Sequence, residues 1–489
     1  MNHKLQTTLR LGFCTATISA LLLPLVLTAF GDDTDNTENR NLAAFPSIKT
    51  DEGTINTDFA TQLDAWFSDS FGLRPKLVTA YSALTRKIFA TSAENDVIVG
   101  KDGWLYYAPT TDDVTGVASI TEADAKHLVR TIEILREYAE KNDSNLIFTV
   151  APNKGSIYPQ HLPARYLQTG GKNNLDLFTE QVVQTTVPYC DLRQILRENA
   201  EDSQIYHKLD THWNGAGAML GFAALRNTLG RNDCGFPSSK TSQTHDFEGD
   251  LWKMTAPSVN NPDDNIVYDI PQTFSYIGRY RSEDDLKIQT TCADAENSLL
   301  MYRDSFGRAL IPLLSQSYAE CTYLRGDRIS LDIIENTHFD DIIIEIVERN
   351  LPQILSYAPQ IPAPEVPLAE LTEQLQIVAD NRTHEAVQPQ IFAENTDKYL
   401  HIYGQYHAIC ADCDRVFCEV DGHCYEAFPC CETSLLDDKP YESNGFSLFL
   451  PSDAIKGGDS ARVLVQRGTE HFDLGSQNLS IQLKTEVSE

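Results

Sequence analysis

The sequence predicts an α/β protein, a mainly parallel sheet with helices on both faces, followed by a small C-terminal β-sandwich. Three observations predict it. Short continuous apolar runs, Asn145–Val150 (NLIFTV), Ser298–Tyr302 (SLLMY) and Asp341–Ile346 (DIIIEI), read as strands buried on both faces. Segments of helical period lie between such runs, as in chains that cross from one parallel strand to the next. After Pro352, Pro359, Pro362, Pro364 and Pro367 the pattern changes to short alternating segments, the mark of antiparallel sheets.

The elements follow in order. Lys4 and Arg10 precede an uncharged stretch, Leu11 to Gly31, and Asp32, Asp33 and Asp35 follow it. Basic before and acidic after is the orientation of an exported chain. The stretch is expected to be a cleaved signal peptide or a retained anchor (1–31), with a polar linker over 32–56. Phe59, Leu63, Trp66, Phe67, Leu77, Tyr81, Leu84 and Ile88 recur at helical spacing. Val97–Val99 and Trp104–Tyr107 read as a hairpin around Gly100-Lys101-Asp102-Gly103. Thr121 and Asp124 open a helix over 121–141 as a capping box. Strand 145–150 comes next, then a helix over 171–184 and a strand at Val187–Tyr189. Asn214 caps a helix at Ala216–Leu229. Strand 298–302, a helix at Ala309–Gln316, and strands at Cys321–Leu324 and Asp341–Ile346 complete the expected domain, 57–351. Residues 352–395 read as a Pro-rich linker with a short helix at 368–379. Residues 396–489 read as a Cys-rich sandwich with strands at Tyr399–Tyr403, Gly445–Leu450, Ala461–Gln466 and Ser480–Leu483.

Composition narrows the function. The chain has 489 residues and a formal charge of −31, with 70 acidic and 39 basic residues. That field disfavours a general binder of nucleic acid or of anionic membranes. Of 11 cysteines, Cys14 lies in the apolar segment and ten follow it. An exported chain holds these as candidates for disulfides. For the group from Cys410 to Cys431, zinc is the rival reading, because Cys410 and Cys413 have ligand spacing and His407 and His423 are near.

Two segments carry chemistry. In Asp210-Thr211-His212-Trp213 an extended chain puts Asp210 and His212 on the same side, where an acid can orient an imidazole. The bland alternative is a loop histidine satisfied by its neighbours. In Tyr302-Arg303-Asp304-Ser305-Phe306-Gly307 a strand runs into a helix start. Ser305 there can serve as a nucleophile, with its own N–H as the leading oxyanion donor, or only as a cap. Together they predict acyl transfer through Ser305, with His212 as base and Asp210 as the third member.

The segment from about Trp66 to Leu351 resembles the AlgX/AlgJ-type acetyltransferases and their DHHW relatives, a branch of the SGNH hydrolase superfamily. The matching stretches are WFSDSFGLR, NDVIVGKDGWLYY, VAPNKGSIYP, LDTHWN, FEGDLWKM, YRDSFG and IIIEIVERN. Asp210 and His212 precede Ser305, as in this branch. The resemblance implies an SGNH-hydrolase-like, flavodoxin-like fold and O-acetylation of an exported polysaccharide, with the sandwich at 396–489 placed like the carbohydrate-binding modules of some relatives or else a structural domain. It implies an acetyl donor of unknown identity, no cofactor or metal, and a membrane-bound acyl-transferring partner. The alternatives are an acetyl esterase of a glycan and a non-catalytic glycan-binding protein of the cell envelope. The location implied is extracytoplasmic: periplasmic, secreted or membrane-anchored.

Arg303 replaces the usual Gly of Gly-Asp-Ser, and Asn153 is a second oxyanion candidate. Trp104, Tyr107 and Trp252 are candidates to stack on sugar rings, against the commoner fate of core packing. Glu345, Glu348 and Arg349 fit the family's Glu-Arg signature, with a substrate contact expected for Arg349. The charge of −31 predicts a neutral acceptor, or else a local basic groove built from Lys101, Lys154, Arg303 and Arg349.

Overall fold

The computed structural model describes residues 3–30, 43–50, 53–166, 169–231, 236–372, 375–377, 388–396, 398–406, 410–430, 444–452, 460–479 and 481–482. Cys234, His407, Cys431 and the expected strand ends Ser480 and Leu483 lie outside them.

The N-terminal segment His3–Phe30 is a helix. Among the described residues no helix is long and apolar enough to cross a membrane. Helices Phe59–Ser70 and Arg74–Phe89 follow. Val97–Val99 (β1) pairs antiparallel with Leu105–Tyr107 (β2), the expected hairpin. Asn145–Ala151 (β3) and Tyr189–Cys190 (β4) enter the main sheet. Thr241–Phe247 (β5) and Asp263–Tyr268 (β6) form a separate antiparallel ribbon. Ser275–Tyr276 (β7), Lys287–Thr291 (β8), Ser298–Tyr302 (β9), Glu320–Leu324 (β10) and Asp341–Val347 (β11) complete the main sheet.

The order is β4-β3-β11-β9-β10-β8-β7. The first five strands run parallel, and β8 and β7 add an antiparallel edge. Alternate side chains serve opposite faces. Leu146, Phe148, Val150, Ile342 and Ile344 join the core under helices Glu122–Lys141 and Asn174–Val182. Ile147, Ala151, Ile343, Val347 and Met301 join the core on the other face, with Trp213, Phe222 and Phe306. Both faces are covered, so the strands tolerate no polar alternation, and that made them readable in the sequence.

Local chemistry accounts for the helix ends. Thr121 accepts from the Asp124 N–H at 3.1 Å, and the Asp124 carboxylate accepts from the Thr121 N–H at 2.8 Å. The Asn173–Asp176 pair repeats this box. Asn214 Oδ1 accepts from the N–H groups of Ala216 and Gly217 and starts helix Gly215–Thr228. The helix expected over 309–316 is a 3-10 turn, Phe306–Leu310, then a short α-helix, Ile311–Ser315. Pro312 has no N–H to donate, and it sits in the first turn of that α-helix, where none is needed.

The C-terminal region is β-rich. Its strands are Glu365–Val366 (β12), Leu375–Ile377 (β13), Gln390–Asn395 (β14), Tyr399–Gln405 (β15), Arg415–Val420 (β16), His423–Ala427 (β17), Gly445–Pro451 (β18), Ser460–Arg467 (β19), Glu470–Asn478 (β20) and Ile481–Gln482 (β21). They form two mainly antiparallel sheets, β12-β17-β16-β19-β20-β13 and β18-β15-β14-β21. β12 and β13 fall within the stretch expected to be linker, and the short helix there ends at Thr372. Tyr399, Phe428 and Phe449 pack into the core beside helix Glu122–Lys141. The guanidinium of Arg130, on that helix, pairs with buried Glu426 at 2.7 Å, and Arg415 grips the same carboxylate at 2.5 Å. Cys190, Cys292, Cys321, Cys410, Cys413, Cys418 and Cys424 are buried, and no disulfide joins them to one another.

Candidate active site

The site forms at the carboxyl ends of β9 and β11, where ligands bind in open parallel sheets. β9 ends at Tyr302, and the chain turns through Arg303 and Asp304 to Ser305. Glu345 of β11 supports this turn from beneath. Its buried carboxyl accepts from the Asp304 N–H at 2.8 Å. Burial first, and then the charge of Asp304, push the Glu345 carboxyl up to about 8. Gly307 passes so close that a Cβ there would lie 2.7 Å from the Arg303 Cβ and 2.9 Å from Glu345 Oε2. Glycine is required by contact.

The acid–base segment is built separately. Lys154, just beyond β3, is buried, and its ammonium donates to the carbonyls of His207 at 3.1 Å, Lys208 at 3.0 Å and Asp210 at 2.5 Å. Burial lowers the Lys154 ammonium to about 8, against the pull of Asp210, Asp250 and Asp263. Asp263 accepts from the Leu209 N–H at 2.7 Å, and the Leu209 carbonyl accepts from the Trp252 N–H. A Cβ on Gly249 would strike the Leu209 carbonyl, so Gly249 lets Asp250 come close.

The structure brings Asp210, His212 and Ser305 together. His212 Nδ1 lies 2.7 Å from Asp210 Oδ1, and Nε2 lies 3.0 Å from Ser305 Oγ. The network thus places a proton on Nδ1 and leaves Nε2 to accept from the hydroxyl. Asp210 Oδ1 also accepts from the His212 N–H, and Oδ2 from the Asp250 N–H, each at 2.8 Å. Burial opposes the Asp210 charge, but His212 and these N–H donors hold the carboxyl well below the usual range. Ser305 makes no side-chain cap bond, so its hydroxyl is not spent as a helix cap.

Two residues were not singled out by sequence reasoning. Asp250 accepts from Thr211 N and Oγ1 at 2.8 and 2.6 Å, and its Oδ2 lies 3.7 Å from His212 Nδ1. Burial and the neighbouring Asp210 raise its carboxyl to about 6. Arg308 stands on the other side, with Nη2 3.3 Å from His212 Nε2 and Nε donating to the Ser305 carbonyl at 3.1 Å. Asp284 steadies its far end at 3.3 Å. The spacing Ser305-x-x-Arg308, one helical turn, was the available signal for it.

The other expected site residues lie elsewhere. The leading oxyanion donor, the Ser305 N–H, is already given to Asp304 Oδ1 at 2.7 Å. Asn153 donates to Asp113 at 2.8 Å and accepts from Arg349 at 3.3 Å. Arg349 also faces the Tyr107 ring at 5.6 Å. Arg303 is buried, and its guanidinium donates to the carbonyls of Glu283, Asp285 and Asp304. Trp104 is buried, with Tyr158 at 4.7 Å and His161 at 4.8 Å. Trp252 donates to the Val259 carbonyl at 2.7 Å and lies under Arg86 at 4.7 Å. Lys101 donates to the Gln160 carbonyl at 3.1 Å. None of these lines the cavity of about 630 Å³ that opens onto Ser305. Its walls include Phe247, Tyr268, Lys253, Glu283, Arg308 and Leu313, so the β5–β6 ribbon forms one side.

Among the described residues, Asp210, His212 and Asp250 are the one group of three whose ligand atoms lie within 4.8 Å of one another. Each is already engaged in the hydrogen bonds above, which suits an acid–base cluster.

Residues 97–262 match the family described as SGNH hydrolase-like domain, acetyltransferase AlgX. The match includes Asp210, His212 and Asp250 and ends before Ser305. The probable alginate O-acetylase AlgJ of Pseudomonas syringae pv. tomato is 25% identical over 218 residues, which is 43% of this chain and 54% of that protein. The probable AlgJ of Pseudomonas aeruginosa is 25% identical over 207 residues, 42% of this chain and 51% of that one. The chain thus spans about half the length of these curated relatives. Among solved structures, Bacillus cereus PatB1 with a sulfonyl adduct aligns with a TM-score of 0.42 and 16% identity, over 52% of this chain and 94% of that one. The O-acetyltransferase domain of Pseudomonas putida AlgJ aligns with a TM-score of 0.34 and 20% identity, over 52% and 92%. Residues 97–262 thus match the AlgX-type SGNH hydrolase-like domain, in a chain distantly similar to the AlgJ O-acetylases.

Proposed function

We propose that this chain is an exported O-acetyltransferase that moves an acetyl group through Ser305 to hydroxyls of a neutral polysaccharide. The observation that carries the reading is His212, held at 2.7 Å from Asp210 and 3.0 Å from Ser305. Ser305 Oγ attacks the acetyl carbonyl of the donor while His212 Nε2 takes its proton. Collapse of the tetrahedral adduct expels the donor's leaving group, which takes the proton from His212 and leaves acetyl-Ser305. A sugar hydroxyl then attacks this ester, its proton passes to His212, and Ser305 recovers it as the acetylated sugar departs. Asp210 stays ionised and stabilises the imidazolium. With the Ser305 N–H occupied, the Arg308 guanidinium is the cation placed to meet the developing oxyanion.

A neutral acceptor is favoured because Lys101, Lys154, Arg303 and Arg349 do not line the cavity, and the two cations that do, Lys253 and Arg308, are paired with Glu248 and Asp284. A membrane-bound protein that passes acetyl groups outward fits as the donor-side partner. The test supplies a chromogenic acetyl ester and a panel of neutral and acidic glycans to the full chain. Wild type should acetylate a neutral glycan, and Ser305→Ala should fold but transfer nothing. Acetate without acetylated polymer would make the protein an esterase. Undiminished transfer by Ser305→Ala would overturn the assignment of the nucleophile.

A further inference from the structure

Helix Arg74–Phe89 has two faces of different character. Thr79, Ser82 and Arg86 share one. Thr79 Oγ1 accepts from the Ser258 N–H at 3.1 Å, Arg86 donates to Thr255 at 3.2 Å, and Ser82 is buried. At 100° per residue, Leu77, Tyr81, Leu84 and Ile88 fall on the opposite face, within about 60° of one another. They are exposed by 47%, 62%, 56% and 59%. A continuous apolar stripe of this kind on a helix already packed by its other side marks an interaction surface.

The charge around the stripe identifies its partner. Between Phe71 and Ala93 the sequence carries Arg74, Lys76, Arg86 and Lys87 and no acidic residue, inside a chain of net charge −31. Lys76 and Lys87 are exposed on one flank of the stripe, and neither forms an ion pair with the described residues. An apolar stripe flanked by exposed lysines is how a helix lies in the interface of an anionic bilayer. A second apolar helix lies close in the chain. His3–Phe30 exposes Leu11, Phe13, Ile18, Leu22 and Leu23. Only residues 31–42 separate it from Ala43, whose N–H donates to Asp69 Oδ2 at 2.7 Å in the helix just before. Those twelve residues reach at most about 45 Å, so a surface that takes up one helix is within reach of the other.

We propose that helix Arg74–Phe89 docks on an anionic lipid surface, with Leu77, Tyr81, Leu84 and Ile88 in the acyl boundary and Lys76 and Lys87 at the headgroups. The overall acidity excludes general attraction to such a surface, and this helix is the local exception. The test is hydroxyl-radical footprinting of the full chain with phosphatidylcholine–phosphatidylglycerol vesicles. Oxidation of Tyr81 and Leu84 should fall severalfold, while Leu286, exposed by 70%, is unchanged. Lys76→Glu with Lys87→Glu should restore oxidation of the stripe even where His3–Phe30 keeps the chain on the vesicle. Full reactivity of Tyr81 on vesicles would overturn the proposal. So would protection without lipid that grows with protein concentration, which would make the occupant a second copy. Protection that survives the double charge reversal would remove the role of the headgroups and overturn it as stated.

Discussion

Replacing Glu345 by Gln separates the support of the Ser305 turn from its charge. The folded Glu345 carboxyl has its pKa raised from 4.5 to about 8, so the folded state binds its proton more tightly than the unfolded chain. Its contribution to stability is therefore greatest at low pH and is lost as pH rises from about 4.5 to about 8. At about 1.36 kcal/mol per pH unit the whole change is about 5 kcal/mol, and about 4 kcal/mol of it falls between pH 5 and pH 9. Glu345→Gln is neutral throughout and keeps an oxygen for the Asp304 N–H. The assay is urea unfolding at pH 5, 7 and 9, followed by tryptophan fluorescence, with wild type and variant compared at each pH so that other titrations cancel. The variant should gain on wild type by about 4 kcal/mol from pH 5 to pH 9, and should keep acyl transfer at pH 7 within a few-fold. Parallel pH profiles would refute the account of burial. Loss of transfer in the Gln variant at pH 7 would show that the negative charge itself is needed.

Four further outcomes follow from the same geometry. Arg308→Ala should lower kcat/KM about 100-fold with a chromogenic ester, and Arg308→Lys should recover part of it. Gly307→Ala forces a Cβ against Arg303 and Glu345, and should cost about 1–3 kcal/mol in denaturant titration and most of the transfer rate. Lys154→Met leaves three carbonyls without their donor and should lower kcat more than KM, as expected for a group that positions Asp210. Glu426→Ala takes the shared buried carboxylate from Arg130 and Arg415, leaving Arg130 its Glu133 and Glu137 partners, and should cost about 1–3 kcal/mol, seen as faster proteolytic separation of the C-terminal strands.

What the sequence made legible was whatever burial or local hydrogen bonding enforces. NLIFTV, SLLMY and DIIIEI are apolar because both faces of the sheet are covered, and Thr121 and Asp124 report a cap made within one turn. The β5–β6 ribbon was missed because TSQTHDF and DDNIVY are largely polar and partly exposed, so ladder bonds hold them. The edge strands β12 and β13 are two and three residues long, too short to show a period. At the site, Asp210, His212 and Ser305 stood out by residue type and position. Lys154, Arg303 and Arg349 looked like substrate cations because their partners are backbone carbonyls, an amide and a ring, which no charge pattern reveals. Arg308 was overlooked because a lone arginine in a helical turn ordinarily reads as a solvated group.

The two cores divide the labour of the sheet in a way that bears on acceptor length. The C-terminal strands rest on the core beside helix Glu122–Lys141, while the cavity at Ser305 is walled by elements of the other face and draws none of its lining from beyond Gln316. The C-terminal region therefore does not shape the pocket at Ser305. If it grips a glycan, it does so from behind, and the polymer must bend over the rim of the sheet to touch both. A disaccharide would sense only the front chamber, and a long chain would be held at two stations and reacted at one. Dependence of the rate on degree of polymerisation would then be a measure of the distance around that rim.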